Sequence, residues 1–122
     1  VVTGLGIVSS IGTTAEEVTV SLKAGKSGIV AAPEYVEHGF RSQIHLEVKL
    51  NLEDHIDKKQ LRFMGAGAAY SVLAMEQAIA DAGLSPDEVS NPKTGLIAGS
   101  GGPSTANLLQ SFDIARENAV GK

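Results

Sequence analysis

The stretch VVTGLGIVSSIG at residues 1–12 is the part of the sequence that decides the first structural element. Residues 1–8 are apolar apart from one threonine and two glycines, which is typical of a short buried strand that passes into a tight turn. Thr14 then precedes Glu17 by three residues, the spacing of a capping box, so a helix is predicted to follow and to end at Gly25. The opening residues therefore predict a strand, a glycine-rich turn and a helix in succession.

A second strand and a long helix are predicted in the middle of the sequence. Residues 40–50 alternate between a mostly apolar set of side chains, which includes Ile44 and Leu46, and a polar set, which includes His45, as expected of a half-buried strand with one wet face. Residues 27–39 before them are predicted to form a loop. Apolar residues at intervals of three and four then predict a helix of about six turns. Its apolar stripe consists of Leu61, Met64, Ala68, Val72, Met75 and Ile79. Phe63, Met64 and Met75 are interpreted as core residues on or beside this stripe.

The remaining elements are marked by their capping residues. Gly83 is a natural helix C-cap, and Ser85 with Glu88 forms a capping box for a brief helix. Residues 94–100, TGLIAGS, predict a third strand, which is fully buried like the one at residues 1–8. Ser104 after it can cap another helix. Because strands separated by helices favour a parallel sheet with right-handed crossovers, the predicted fold class is α/β.

The composition is that of a folded protein of one domain or part of one. The chain has 122 residues, of which 43% are hydrophobic and 20% charged. The formal net charge of -4 is spread along the chain, which argues against general nucleic-acid binding, and no apolar run approaches the roughly 18 residues that span a membrane. We therefore expect a cytoplasmic protein. The cysteine count is zero, which excludes a disulfide, a thiolate metal site and a cysteine nucleophile within these residues.

Five stretches in one order resemble a known family of enzymes. They are VTGLGIVSSIG at 2–12, SGI at 27–29, RFM at 62–64, MEQAIADAGLSP at 75–86 and GLIAGSGG at 95–102. Together they resemble the elongating 3-oxoacyl-acyl carrier protein synthases, most of all the type I enzymes of bacterial fatty acid synthesis. The resemblance covers nearly the whole chain.

The resemblance implies a fold, a reaction and a set of partners. It implies the thiolase-like fold, in which two related halves, each a mixed sheet with flanking helices, stack as five layers and pair as a homodimer. Members condense malonyl-acyl carrier protein with an acyl chain held as a thioester on a cysteine, with the help of two histidines and no cofactor. None of these three residues lies in the matching stretches. We therefore expect residues 1–122 to be an incomplete N-terminal portion of the first half, inactive alone.

Three basic residues are the candidates for docking the carrier protein. Lys58, Lys59 and Arg62 cluster at the predicted start of the long helix, where the helix dipole disfavours cations. Acyl carrier proteins are acidic, and the family resembled here docks them on basic residues in this region. The resemblance thus implies a docking role for these three, with Arg41 as a weaker member. The other interpretation is a solvated helix end with Asp57 as a local partner.

Gly101 and Gly102 are the candidate substrate-binding residues, on the resemblance alone. In the dimers of the family, the matching residues reach the far end of the partner subunit's acyl pocket, where a side chain would limit chain length. The other interpretations are a simple turn, or backbone N–H groups of residues 99–102 presented to an anion. Pro103 stands where the family leads us to expect another glycine.

Two rival functions are weighed against this interpretation. One is a carrier-binding or dimerising module without catalysis. The other is a Rossmann-type nucleotide binder, suggested by Gly4 and Gly6 after a predicted strand. The third glycine of that fingerprint is missing, the helix at Thr14 begins too late, and no acidic residue ends a second strand at the right distance, so a structural tight turn is favoured.

The three histidines give no indication of a metal site. His38, His45 and His55 stand seven and ten residues apart, so no pair shares a helix face, and no acidic cluster accompanies them. We interpret them as surface residues. Glu76 and Asp81 are interpreted as ordinary residues of a polar helix face.

Overall fold

A computed structural model describes residues 1–117 as six helices and two short strands. In chain order they are α1 (Ala15–Lys23), β1 (Ile29–Ala31), α2 (Pro33–Glu37), β2 (Ile44–Leu46), α3 (Lys58–Leu61), α4 (Ala66–Ala82), α5 (Pro86–Val89) and α6 (Thr105–Glu117). A 3-10 turn, Leu52–Asp54, lies between β2 and α3. The described residues therefore combine helices with one small sheet.

Helix α1 begins where its capping residues predict. The Thr14 hydroxyl accepts a hydrogen bond from the Glu17 amide at 3.2 Å, and the Glu17 carboxylate accepts from the Thr13 amide at 2.8 Å and the Thr13 hydroxyl at 3.0 Å. These bonds from Thr13 hold the pKa of Glu17 below its ordinary value. The predicted end is also confirmed, because Gly25 adopts a φ of 62° just past the helix.

The predicted caps around α5 are confirmed as well. Gly83 ends α4 in the left-handed conformation with a φ of 67°, which a residue with a side chain rarely adopts. Ser85 and Glu88 form the complete capping box. The Glu88 carboxylate accepts hydrogen bonds from the Ser85 amide at 2.8 Å and from the Ser85 hydroxyl at 2.7 Å. Both helix ends are thus fixed by contacts within a few residues of sequence.

We expect Glu88 to make the stability of the chain depend on pH in acid. The backbone and hydroxyl hydrogen bonds from Ser85 hold the pKa of Glu88 below its ordinary value of 4.5. A carboxylate with a lowered pKa stabilises the fold above its unfolded-state pKa, and this is lost as the pH falls through the folded-state pKa. The unfolding free energies of the unchanged chain and of Glu88→Gln should therefore converge as the pH is lowered from neutral through 4.5 and below.

Chemical denaturation at several pH values measures this convergence. Glu76→Gln is the matched control, because it removes an exposed carboxylate from the middle of α4 and not from a cap. If the difference between the unchanged chain and Glu88→Gln stayed constant into acid, the assigned role of the capping carboxylate would be wrong.

Residues 1–8 do not form the predicted strand. They have no strand partner among the described residues and run instead along α4. The Leu5 amide donates to the Asp81 carboxylate at 2.9 Å, and the Ile7 amide donates to the Gln77 side-chain oxygen at 3.0 Å. Two residues of extended chain and four residues of helix both advance by about 6 to 7 Å, so the two sets of groups match. Asp81 therefore has a defined contact and is more than a polar-face residue.

The two glycines of this segment are required by the close approach of α4. A Cβ atom on Gly4 would overlap the carbonyl oxygen of Ala78 and lie 2.8 Å from the Cβ of Ala82. A Cβ atom on Gly6 would overlap the carbonyl oxygen of Ala74 and lie 2.7 Å from its carbonyl carbon. Alanines at every fourth position of α4 thus face glycines, which lets the two backbones approach without side chains between them.

The sheet is antiparallel, so the predicted parallel sheet is wrong for the described residues. β1 pairs with β2 in the register Ile29 to Leu46 and Ala31 to Ile44. The predicted loop at 27–39 is also wrong, since it contains β1 and α2. The predicted strand at 40–50 is reduced to the three residues of β2.

The buried face of β2 is opposite to the predicted one. Ile44 and Leu46 are exposed, whereas His45 between them is half-buried. The His45 ring lies 5.8 Å from the ring of Tyr35 on α2 in an edge arrangement. The aromatic neighbour on α2 covers the histidine side of the strand, which the alternating pattern alone assigned to solvent.

The predicted six-turn helix is two helices. α3 ends at Leu61 and α4 starts at Ala66, with Gly65 as its N-cap. Gly65 lies under the start of α6, because a Cβ atom there would be 2.6 Å from the Cβ of Ser104. A side chain at position 65 would push the two helices apart.

The small core lies where α4 meets the residues that precede it. Its buried members are Ile56, Ala69 and Leu73. Half-buried apolar residues pack around them: Val8, Leu50, Leu52, Leu61, Met64 and Val72. The predicted core position of Met64 is therefore confirmed. Those of Met75 and Phe63 are wrong, because these side chains are 41% and 77% exposed. The buried side of α4 is roughly a quarter turn away from the predicted stripe.

Residues 94–100 form neither a helix nor the predicted strand in the described chain. Leu96 is 71% exposed and Ile97 is 98% exposed. The helix predicted after them is confirmed as α6, and the Asn107 amide donates to the capping Ser104 hydroxyl at 3.5 Å. Helix α6 has no buried residue among those described.

Candidate functional site

The three predicted docking residues share one turn of the chain. Lys58 and Lys59 open α3, and Arg62 is its C-cap, so Lys58 and Arg62 stand four residues apart on one side. All three are exposed. They are not at the start of the long helix, and α3 has only four residues, so the predicted dipole penalty does not apply to them. Arg41 is exposed in the connection before β2, outside this turn.

Asp57 does not serve as the predicted charge partner. Its carboxylate caps α3 by accepting a hydrogen bond from the Lys59 amide at 2.7 Å. The partner of Lys58 is Glu53 in the 3-10 turn, with 2.8 Å between Nζ and Oε2. The hydrogen bond to this carboxylate, and then its charge, raise the pKa of Lys58. One of the three cations is therefore already paired within the chain.

The Arg62 side chain packs over the ring of Phe63, a residue predicted from the sequence to lie in the core. The Arg62 guanidinium lies 4.7 Å from the centroid of the Phe63 ring, a cation–π arrangement. Because Phe63 is 77% exposed, the pair offers an apolar face and a positive charge side by side. Such a combination suits a partner that presents carboxylates around an apolar patch.

Gly101 and Gly102 form an exposed turn. The Ser100 hydroxyl donates to the Gly102 carbonyl at 2.8 Å and accepts from the Gly102 amide at 3.4 Å. A Cβ atom built on either glycine would meet nothing within 4 Å. Within the described chain the simple turn accounts for these residues, and no neighbour there requires glycine.

The nucleotide-binding alternative is not supported by the geometry. Gly4 and Gly6 lie against α4 and do not border an open phosphate site. The amides of Thr13 and Glu17 at the start of α1 are already bonded, to the Glu17 carboxylate and the Thr14 hydroxyl. A pyrophosphate would have to displace these contacts.

The histidines do not come together. His38 and His55 are exposed, and His45 is half-buried with its Nδ1 atom 3.9 Å from the Glu34 carboxylate. Between residues 1 and 117 there is no group of three or more side chains that could hold a metal ion. The sequence has no cysteine, so it offers no thiol nucleophile.

Comparison with known proteins defines the class of protein. Residues 1–120 match the family model described as "Beta-ketoacyl synthase, N-terminal domain", and the chain belongs to this family. The predicted resemblance is thereby confirmed.

The relatives place the chain more narrowly within the family. It is 54% identical over 116 residues to 3-oxoacyl-[acyl-carrier-protein] synthase 1 of Haemophilus influenzae, and 54% identical over 117 residues to the protein of the same name in Escherichia coli K12. Each match covers 95% of this chain and 29% of the relative. The synthase 2 of Staphylococcus aureus is 30% identical over 123 residues, covering 100% of this chain and 30% of the relative. The chain thus spans less than a third of the length of these relatives.

No helix within residues 1–117 is both long enough and apolar enough to cross a membrane.

Proposed function

We propose that these residues belong to an elongating 3-oxoacyl-acyl carrier protein synthase of the type I class. The observation that carries the proposal is the 54% identity to two relatives named synthase 1 over 95% of the chain. The reaction is a decarboxylative condensation of malonyl-acyl carrier protein with an acyl group held as an enzyme thioester. The whole domain has the thiolase-like fold, forms a homodimer and works in the cytoplasm.

Residues 1–122 contribute structure and partner contacts to this reaction and no reactive group. A condensation on a thioester needs a nucleophile to carry the acyl chain and donors to stabilise the oxyanion. The chain has no cysteine, and its histidines belong to no group of three or more potential metal ligands within residues 1–117. The polypeptide of 122 residues is therefore expected to produce no 3-oxoacyl product when incubated alone with acyl and malonyl thioesters of acyl carrier protein.

A chimera tests the proposal directly. The matching segment of the Escherichia coli synthase 1 is replaced by these residues, and condensation is followed by release of carbon dioxide. We expect an active chimera, since the cysteine and histidines of the recipient are retained. An inactive chimera that is folded and dimeric would count against the proposal, as would condensation by the 122-residue chain itself.

The turn that carries Lys58, Lys59 and Arg62, called the basic turn below, is proposed as the docking surface for the acidic carrier protein. Lys59 and Arg62 are exposed and adjacent, and Arg62 lies over the exposed Phe63 ring. Charged residues of this kind steer an oppositely charged partner and make its binding depend on salt. Lys58 belongs to the same turn but is paired with Glu53.

Charge reversal on this turn is expected to weaken carrier binding. The double variant Lys59→Glu, Arg62→Glu should lower affinity for holo acyl carrier protein by about tenfold or more at low ionic strength, because two attractive charges become repulsive. The loss should shrink at high salt, where charges are screened. Titration calorimetry of the chimera measures both effects.

The matched control for this experiment is Lys23→Glu, Lys93→Glu. It changes the net charge equally at two exposed lysines outside the turn. Equal weakening by the two double variants would show that total charge and not this surface determines binding.

Gly101 and Gly102 are proposed to line the far end of the acyl pocket of the partner subunit. Supporting this, they are exposed and have open space where a side chain would project. A side chain at either position would contact no other described residue of this chain, so it could contact a bound acyl chain or a partner subunit. In the chimera, Gly101→Leu should favour shorter acyl substrates without altering thermal stability, and an unchanged chain-length profile would remove the assignment.

The second candidate is a dimerising or carrier-binding module that acts without catalysis. The exposed apolar side chains of α6 favour it, namely Leu108, Leu109, Phe112 and Ile114. An exposed apolar helix face is typical of an association surface. An inactive chimera together with stable self-association of the 122-residue chain in sedimentation experiments would favour this candidate.

A further inference from the structure

Glu53 lies directly against one of the three cations of the basic turn. Its carboxylate is 2.8 Å from Lys58 Nζ, and the two side chains are 56% and 77% exposed. The pair joins the 3-10 turn to α3, four residues further along the chain. Three acidic residues precede the basic ones in this segment: Glu53, Asp54 and Asp57. The formal charge of residues 53–62 is therefore close to balanced and not strongly positive.

Lys59 and Arg62 differ from Lys58 in this respect. Within residues 1–117 the ion pairs are Lys58 with Glu53 and His45 with Glu34, so Lys59 and Arg62 take part in none. Asp57 is occupied by the Lys59 amide and not by its ammonium group. The positive charge that this surface offers to a partner thus comes from two residues.

We propose that Glu53 limits the strength of carrier docking by occupying Lys58, so that Lys59 and Arg62 are the effective docking cations. The inference rests on the proposed carrier docking and adds a residue that sets its strength. A carboxylate of the carrier has to compete with one that is tethered five residues away, at high effective concentration. The carboxylate of the carrier is also repelled by the negative charge of Glu53 itself. The raised pKa of Lys58 agrees with a committed ion pair.

The first test removes the competing carboxylate. The chimera and its variants are titrated with holo acyl carrier protein at low and at high ionic strength. Glu53→Gln should tighten binding by about two- to fivefold at low ionic strength, the range expected for one exposed ion pair, and the gain should vanish at high salt. The matched control is Glu47→Gln, which changes the net charge equally at an exposed position outside the turn. Glu47→Gln should raise the affinity for the carrier by less than Glu53→Gln does.

The second test asks whether the gain comes from Lys58. Lys58→Gln as the single substitution in the chimera should change affinity by less than about 1.5-fold, since the cation is already neutralised. In the Glu53→Gln background the same substitution should abolish the gain. This non-additivity is the expected mark of two residues that act through each other, and a merely structural role would not produce it.

Each outcome decides the inference. Equal effects of Glu53→Gln and Glu47→Gln, or a loss with Lys58→Gln as large as that with Lys59→Gln, would overturn it while leaving docking intact. Failure of the chimera without these substitutions to bind the carrier at low salt would refute the proposed docking and the inference with it. Should Glu53→Gln not fold, as judged by circular dichroism, the near-neutral effect of Lys58→Gln still supports the inference and a large loss still overturns it.

Discussion

Gly6→Ala is expected to destabilise the chain by about 3 kcal/mol or more. The added methyl group would overlap the carbonyl oxygen of Ala74 and lie 2.9 Å from the amide nitrogen of Ala78. Both atoms belong to the backbone of α4, which cannot rotate away as a side chain can. Relief requires residues 1–8 to move off the helix, and this movement would break the hydrogen bonds of their amides to Gln77 and Asp81.

The control for this prediction is Gly67→Ala. Gly67 is the second residue of α4, and a Cβ atom there would meet nothing within 4 Å. The same chemical change should therefore be neutral or stabilise the chain by up to about 1 kcal/mol through helix propensity. Unfolding in denaturant, followed by far-ultraviolet circular dichroism, measures both variants. Similar effects of the two substitutions would mean that residues 1–8 do not pack on α4 as described.

The glycine pattern also shows what a local motif leaves open. Two glycines two residues apart in an apolar run indicate that something approaches the backbone closely. Between a bound phosphate and a tight turn, the sequence favoured the tight turn. The answer is a helix whose contacts lie 70 and 76 residues away along the chain. No spacing within residues 1–12 specifies that partner.

Features that depend on a few neighbouring residues were predicted correctly. Thr14, Ser85 and Ser104 cap their helices, and Gly83 ends α4 in the left-handed conformation. A cap is a hydrogen bond between residues two or three positions apart, so the pattern that predicts it contains all of its partners. These helix ends were therefore readable from sequence, whereas the break between α3 and α4 was not.

Strands were predicted poorly because their partners are not local. Residues 1–8 and 94–100 have the apolar composition of buried strands, yet neither pairs with a strand in the described chain. The strands that do form, β1 and β2, are three residues each and were predicted as parts of a loop and of a longer strand. A strand is defined by its pairing, which a composition pattern does not supply.

The basic turn was found from sequence, but its internal pairing was not. Lys58, Lys59 and Arg62 stand out as a run of like charge, and the resemblance gave them a role. The pairing of Lys58 with Glu53 depends on how the 3-10 turn meets α3, and Asp57 was the nearer carboxylate in sequence. Which cation is available to a partner is therefore a property of the folded chain.

The second large effect is expected for Leu73→Ala. Leu73 is 6% exposed and belongs to the core with Ile56 and Ala69. Truncating a buried leucine removes its transfer free energy and leaves a cavity, so the free energy of unfolding should fall by about 2 to 5 kcal/mol. Denaturant unfolding measures this loss.

Met75→Ala decides which face of α4 is buried. Met75 lies on the predicted apolar stripe but is 41% exposed, so its truncation should cost no more than about 1 kcal/mol. Seventeen residues of α4 read AGAAYSVLAMEQAIADA, and because apolar residues occur all round this helix, periodicity cannot select one face. The glycines of residues 1–8 and the side chains of Gln77 and Asp81 fix the helix instead. A larger loss for Met75→Ala than for Leu73→Ala would restore the predicted stripe and refute this packing.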